Sequence, residues 1–512
     1  MKKVLCIVLA AILALSCAAT AFAAKACDCS VSPVIYIRGF GEELYLNPES
    51  EDRTEALNLS LDAVLAGAPE LLYGFIAKAA ADDYDALLKG VEVIADNILG
   101  KIVCDKNGDS LYNVGVKPRE LPTEDNHQST SYSGAVEIEG QPDGEYDFHY
   151  DWRLDPMDNA RLLKEFADYI RELTGHKKVS FIAHSQGNTL VAAYLALFGS
   201  EEIDKIVFLS PAFQGLSIMG SLFAGEAVID DKGDALVGFV DSLLGKEEFY
   251  SEFVTMCVKF LNDNGFVGTV LDDAQIILDK EFKKVYAEYL RDTLVTMPGF
   301  WSFVPDEYFD RAIEFTFAGT EGYEKLIERI EDYHYNVQVK LCDLLDEAKA
   351  NGVNFVIGCG YGISSIPLSD SPVQHSDMTI DTKYMSIGAT CAPFGETFAD
   401  DYVQAVDDGH NHISPDRMID ASTCAYPEYT FFIKGQLHPD FCDGYREWIQ
   451  WALLYDGQPT VTSDPAFPQF TEMDGEDTKP VEEPEEQPAK SALRIFLEFL
   501  FELLSKLFYS IV

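Results

Sequence analysis

One short stretch constrains this chain more than any other: Ala183-His184-Ser185-Gln186-Gly187, at the end of an apolar β-branched run (178–183) and the start of helical spacing over 187–198. A serine on so sharp a strand-to-helix turn requires small residues two before and two after it, because a larger side chain would strike the strand or the helix. Ala183 and Gly187 meet that requirement. Such a turn lifts the Ser185 hydroxyl clear of the sheet, and the helix N-terminus favours developing negative charge beside it.

The surrounding pattern extends the motif into an architecture. Apolar runs at 32–37, 146–152, 178–183 and 205–209 read as buried strands. Between and after them come helical stretches at 157–173, capped by Asp155 and Pro156, and at 187–198. Strands return near 353–358 and 430–433, and a helix at 441–454. Alternating strands and helices imply an α/β fold, with a mostly parallel sheet covered by helices on both faces.

Core segments 24–212 and 346–456 then flank a helical cap insertion at 213–345. Helical spacing is also expected over about 52–100. Asp105-Lys106-Asn107-Gly108-Asp109 reads as a hairpin turn rather than a calcium loop, since its twelfth position is Val116 and not Glu. Residues 457–490 are Pro- and acid-rich and are expected to be a disordered linker. Within 491–512, Arg494, Glu498, Glu502 and Lys506 fall four apart and make one polar stripe on an apolar helix. That many charges argue against a bilayer span and suit a membrane surface, a partner or the protein body.

Charge and export signals bound the partners. With 86 acidic against 38 basic residues the net charge is −48, which repels phosphate backbones and excludes nucleic acid as a partner. Lys2 and Lys3, an apolar run over 4–15 too short to span a bilayer, and Ala21-Phe22-Ala23 read as a signal peptide over 1–23. The chain is therefore expected to be secreted or at the cell surface. A second reading lipidates Cys17 within Leu15-Ser16-Cys17. Losing Cys6 and Cys17 leaves nine of the 11 cysteines; an odd number leaves at least one thiol unpaired, although export permits disulfides.

A serine nucleophile needs a base. His438 follows the strand at 430–433 and precedes the last helix, whereas the His184 side chain leaves the turn in another direction. An acid must orient that base, and it should fall between the strand near 353–358 and His438. Asp408 is the first choice and Asp407 the second, with Asp377 and Asp370 ranked after them. The backbone N–H groups of Gln186 and Phe40 are the expected oxyanion hole, with Gly39 and Gly41 letting the loop approach the substrate. His410 and His412 form a lone His-x-His, too little to define a metal site, so neither a metal nor a cofactor is expected.

Three stretches now resemble the α/β-hydrolases, and within them the lecithin:cholesterol acyltransferase and lysosomal phospholipase-like group. They are PVIYIRGFG, YDWRLDP and IAHSQGN, together with the order of oxyanion loop, aspartate-tryptophan-arginine motif, elbow, cap, acid and histidine. The resemblance implies the α/β-hydrolase fold, a Ser-His-Asp triad and a lipid ester substrate. It also implies that Asp151 and Arg153 form a supporting pair beneath the site. Arg38 stands where the group usually carries His, and the loop at Gly409 departs from the group's Gly-Asp-Gly-Thr-Val acid motif. Two other functions stay open: a catalytically altered cell-surface binding protein, and a peptidase or thioesterase on the same triad.

Overall fold

The computed structural model describes residues 31–57 except 42, 96–118, 121–123, 146–229, 286–366, 368, 374–407, 409–438 and 442–483, with isolated positions between 69 and 93 and between 237 and 283. The expected signal segment 1–23, Cys17 and the terminal helix at 491–512 lie outside the described residues. So do Asp408 and Asp370.

Eight strands form one sheet: β1 (Val34–Ile37), β2 (Tyr146–Phe148), β3 (Val179–His184), β4 (Ile203–Leu209), β5 (Asn354–Tyr361), β6 (Thr430–Lys434), β7 (Phe470–Asp474) and β8 (Asp477–Pro480). Their order is β8-β7-β6-β5-β4-β3-β1-β2. Every neighbouring pair is parallel except β7 with β8.

Seven helices matter to the site: α1 (Pro156–Thr174), α2 (Gly187–Phe198), α3 (Ser217–Ala224), α4 (Asp306–Phe317), α5 (Glu324–Tyr333), α6 (Leu341–Ala350) and α7 (Asp443–Leu454). Successive side chains of a strand point to opposite faces, and the core divides accordingly. Ile35 and Ile37 face α1, α2 and α6 in one cluster, with Phe181, Phe208 and Ile357 beside them. Val34 and Tyr36 face α7, packing with Ile182, Val207, Tyr445 and Trp448. Asp155 caps α1 by accepting from the Met157 N–H at 2.9 Å, and Gly175 ends the helix at φ 71°.

The insertion after β4 carries its own core. Phe223 of α3, Trp301, Phe309 and Ala312 of α4 and Ile330 of α5 pack together, apart from the sheet. Residues from 213–345 also enter the sheet's cluster: Phe213, Met297, Phe303, Tyr333, Leu341 and Leu345 belong to it.

Two expectations need correction. The segment expected to be a disordered linker instead supplies β7 and β8, which extend the sheet beyond β6. Phe470 stacks on Phe432 with ring centroids 5.4 Å apart, and Gly475 turns the hairpin at φ 66°. Its acids, Lys479 and Pro480 sit on a sheet edge, where charge and proline discourage further strand pairing. The stretch expected to be helical from about 52 begins instead with Thr54–Glu55, a short strand paired with Tyr45–Leu46. The described positions between 69 and 99 are helical.

The Asp105–Asp109 turn is a hairpin. Cys104 bridges Ser110 across it, Asp105 accepts from the Asn107 and Asp109 N–H groups, and Asp109 pairs with Lys325 and Arg329. The six described cysteines are free thiols; burial pushes Cys104 and Cys391 up to about 12. No helix among the described residues is long and apolar enough to cross a membrane.

Candidate active site

Ser185 sits where β3 turns into α2, at φ 54°. A non-glycine residue in that region is strained, and it persists because its surroundings over-determine it. The Ser185 N–H donates to the Leu209 carbonyl at 3.0 Å. Asn188 Nδ2 donates to the Ser185 and Leu209 carbonyls at 2.8 and 3.1 Å. Gly187 is required sterically, since a Cβ there would lie 2.4 Å from the Ile37 carbonyl oxygen and 2.8 Å from that of Arg38.

Across the crevice, His438 Nε2 lies 2.8 Å from Ser185 Oγ. Its Nδ1 lies 2.7 Å from Asp377 Oδ2. A carboxylate at Nδ1 holds the proton on that nitrogen, leaving Nε2 to accept from the serine hydroxyl. Asp377 is fully buried. Burial alone would raise its carboxyl, but the His438 ring and the N–H groups of Ile380 and Thr379 outweigh it and hold the group below its ordinary range. The His438 N–H also donates to the Asp377 carbonyl at 2.9 Å, so acid and base are tied through main chain as well.

The structure brings Asp377, ranked third by the sequence, to His438 Nδ1, and it does not bring Asp407 there; Asp408 lies outside the described residues. Asp407 is exposed, and its carboxylate accepts from the Gly409 N–H at 3.1 Å. A sequence signal for Asp377 existed in β5. Gly360 has no side chain, and a Cβ there would lie 2.6 Å from the Asp377 Cβ. The glycine lets the acid loop close directly over the sheet.

His184 has a position that the sequence did not indicate. Its Nε2 lies 2.9 Å from the His438 carbonyl oxygen and donates to it. Burial, with the His438 ring second, pushes His184 down to about 3, so it is neutral and supports the turn that carries His438.

The expected oxyanion loop lies against the serine. A Cβ on Gly39 would come within 2.5 Å of Ser185 Cβ and 3.1 Å of its Oγ, so only glycine allows this approach. Gly41 takes φ 103°, and the Tyr150 hydroxyl donates to the Arg38 carbonyl at 3.0 Å. The Phe40 ring is 48% exposed and leans on Trp152 at 4.4 Å and Phe300 at 5.7 Å. Gln186 begins α2, and its side chain donates to the Trp152 carbonyl at 2.9 Å.

Asp151 and Arg153 form a buried pair, and the guanidinium also reaches the Ile102 and Val114 carbonyls and Ser110 Oγ. The cap is fastened here: the Gly299 N–H donates to the Arg153 carbonyl at 2.9 Å. Gly299 tolerates no side chain, since its Cβ would lie 2.0 Å from the Trp152 carbonyl oxygen.

Two residues before Asp377, His375 is buried among Tyr361 and Phe394, and neither ring nitrogen has a hydrogen-bond partner among the described residues. Burial lowers its pKa to about 4. Above the unfolded value near 6.5 this residue leaves stability untouched. As pH falls from there towards 4, the unfolded chain takes up a proton that the folded one refuses, and stability drops. In urea unfolding at pH 7 and pH 5, His375→Phe should lose about 2 kcal/mol less between the two pH values than the parent protein. Equal losses would show that His375 does not contribute to acid sensitivity.

This sheet order, elbow and cap make the architecture the α/β-hydrolase fold. Residues 140–233 match the family described as alpha/beta hydrolase fold, which supports a hydrolase. A solved structure of a Tle4–Tli4 complex is similar over 65% of this chain and 75% of that one, with 13% identity and a TM-score of 0.23. A search of curated proteins returns no match.

Proposed function

We propose that this protein is an exported serine hydrolase that cleaves carboxylic esters, or transfers their acyl groups, through an acyl-enzyme on Ser185. The observation that carries the reading is the continuous chain Ser185 Oγ to His438 Nε2 to His438 Nδ1 to Asp377 Oδ2, at 2.8 and 2.7 Å. His438 takes the hydroxyl proton as Ser185 attacks the ester carbonyl, and Asp377 stabilises the imidazolium. The Phe40 and Gln186 N–H groups bind the oxyanion. His438 then protonates the leaving alcohol, and water or another alcohol releases the acyl group. No step needs a cofactor.

A lipid ester is the substrate class favoured by the three motif resemblances, and the exposed Phe40 ring on its aromatic support suits an apolar acyl chain. The charged, apolar and Ala-x-Ala order over 1–23 supports export, and the striped apolar segment 491–512 supports contact with lipid surfaces.

A fluorophosphonate probe tests the chemistry. Labelling should map to Ser185, vanish in Ser185→Ala and fall sharply in His438→Ala. Turnover of p-nitrophenyl esters should rise with acyl length. Folded protein that takes no label, or labelling indifferent to His438, would end the hydrolase reading in favour of a binding protein. Labelling with activity only on peptides or thioesters would end the lipid assignment alone.

A further inference from the structure

We infer that the Gln186 carboxamide is a positioning residue: it fixes the cap turn that carries Phe300 against the oxyanion loop, and through that turn it sets a preference for long acyl chains. The inference rests on the serine-hydrolase reading and goes further, because it assigns the acyl side of the crevice and the side chain that holds its wall. As an oxyanion donor Gln186 acts through its main-chain N–H, which any residue could supply. Its side chain is nevertheless buried, at 1% exposure, between the elbow and the cap.

The carboxamide reaches two segments far apart in the chain. Nε2 donates to the Trp152 carbonyl at 2.9 Å and, more weakly, to the Gly299 carbonyl at 3.4 Å. Those segments touch at this point. The Gly299 N–H donates to the Arg153 carbonyl at 2.9 Å, and a Cβ on Gly299 would all but collide with the Trp152 carbonyl oxygen. Ser302 Oγ closes the turn by donating to the Gly299 carbonyl at 2.7 Å. The residue after the nucleophile thus places a buried donor in the seam where cap and core meet. Removing that donor weakens the seam at the place where the cap lies nearest the oxyanion loop.

The turn presents Phe300, which is half-buried. Its ring centroid lies 5.7 Å from that of Phe40 and 5.9 Å from that of Trp152. Phe40 offers its main chain to the oxyanion and its exposed ring to whatever is attached to the carbonyl. The sheet order decides which substituent that is. His438 follows β6 and Phe40 follows β1, on opposite sides of β3. His438 protonates the leaving alcohol, so the alcohol lies on its side and the acyl chain on the side of Phe40 and Phe300. Binding energy gathered along a chain speeds the reaction only when the wall is fixed relative to the reacting carbonyl. Gln186 supplies the N–H for the carbonyl and the carboxamide for the wall, so one residue sets the register between them.

The test compares kcat/KM for p-nitrophenyl decanoate and p-nitrophenyl acetate in the full chain, with melting curves alongside. Gln186→Met keeps the length of the side chain and removes its donor. It should lower the decanoate-to-acetate ratio by about 10-fold, the order that apolar pocket contacts carry in substrate discrimination. Phe300→Ala, which leaves the elbow untouched, should lower the ratio by a similar factor. The double variant should fall little further, because both changes spoil the same wall. Should Gln186→Met not fold, Gln186→Asn gives the same comparison, since its shorter amide stays polar and loses the reach. An unchanged ratio in the folded Gln186 variant, equal losses on both esters, or additive effects of the Gln186 and Phe300 changes would overturn the inference. Parental protein that takes no fluorophosphonate label would instead overturn the hydrolase reading on which it rests.

Discussion

Asp377→Asn should lower kcat for p-nitrophenyl esters by about 10⁴-fold, while Asp407→Asn and Asp408→Asn leave it unchanged. An amide in place of the carboxylate can offer its NH₂ to Nδ1, which stabilises the wrong tautomer and puts the proton on Nε2, where the serine needs an acceptor; a loss of this order follows in Ser-His-Asp enzymes. Fluorophosphonate labelling of Ser185 should slow in parallel, since it uses the same proton transfer. The position of Asp377 makes the effect separable from unfolding. Its Oδ1 accepts from the Thr379 and Ile380 N–H groups and its Oδ2 faces His438, so the amide can keep its oxygen on the two backbone donors. Melting temperature should therefore fall far less than activity. If Asp377→Asn retains near-parental kcat, or if Asp408→Asn carries the large loss, the triad described here is wrong.

That acid was the least legible part of the site, and the reason is physical. The elbow could be read because sterics dictate its residue types: Ser185 at φ 54° and the blocked Cβ of Gly187 leave few alternatives. His438 could be read because the fold returns its base soon after a strand. No local rule marks the acid. It must only reach Nδ1, from a loop whose length is free, and among 86 acidic residues composition gives no contrast. What selects Asp377 is mainly non-local, the missing side chain of Gly360 beneath it, with the neighbouring Thr379 and Ile380 N–H groups holding its carboxylate in place.

The edge hairpin was concealed differently. Proline and acid suggest disorder when counted over a window, but they are also what a solvent-facing sheet edge tolerates. The informative features were Phe470 and the Asp474-Gly475 turn, not the average. In the central strands the sequence reading succeeded, because apolar residues on both faces of a parallel strand left no competing assignment: 178–183 and 430–433 match β3 and β6 within a residue.

Arg153→Met should destabilise the protein by about 3–5 kcal/mol, the range for breaking one side of a buried ion pair. The guanidinium is fully buried and holds Asp151 at 2.6 Å, with the Ile102 and Val114 carbonyls completing its donors. Methionine fills much of the space but leaves two carbonyls without their donor and the Asp151 carboxylate with only the backbone N–H of residue 153 in place of the guanidinium. Asp151→Asn should also destabilise, and the double variant should cost less than the sum of the two, because the second change removes a charge already stranded by the first. Urea unfolding of the four proteins gives the coupling directly. The readout that distinguishes support from catalysis is the labelling rate per folded molecule at Ser185. The hydrogen bonds of Arg153 run to Asp151, to segment 102–114 and to the cap's Gly299, not to Ser185, His438 or Asp377. Labelling per folded molecule should therefore persist in Arg153→Met. If that rate collapses while stability is unchanged, the pair belongs to the chemistry and not to the platform beneath it.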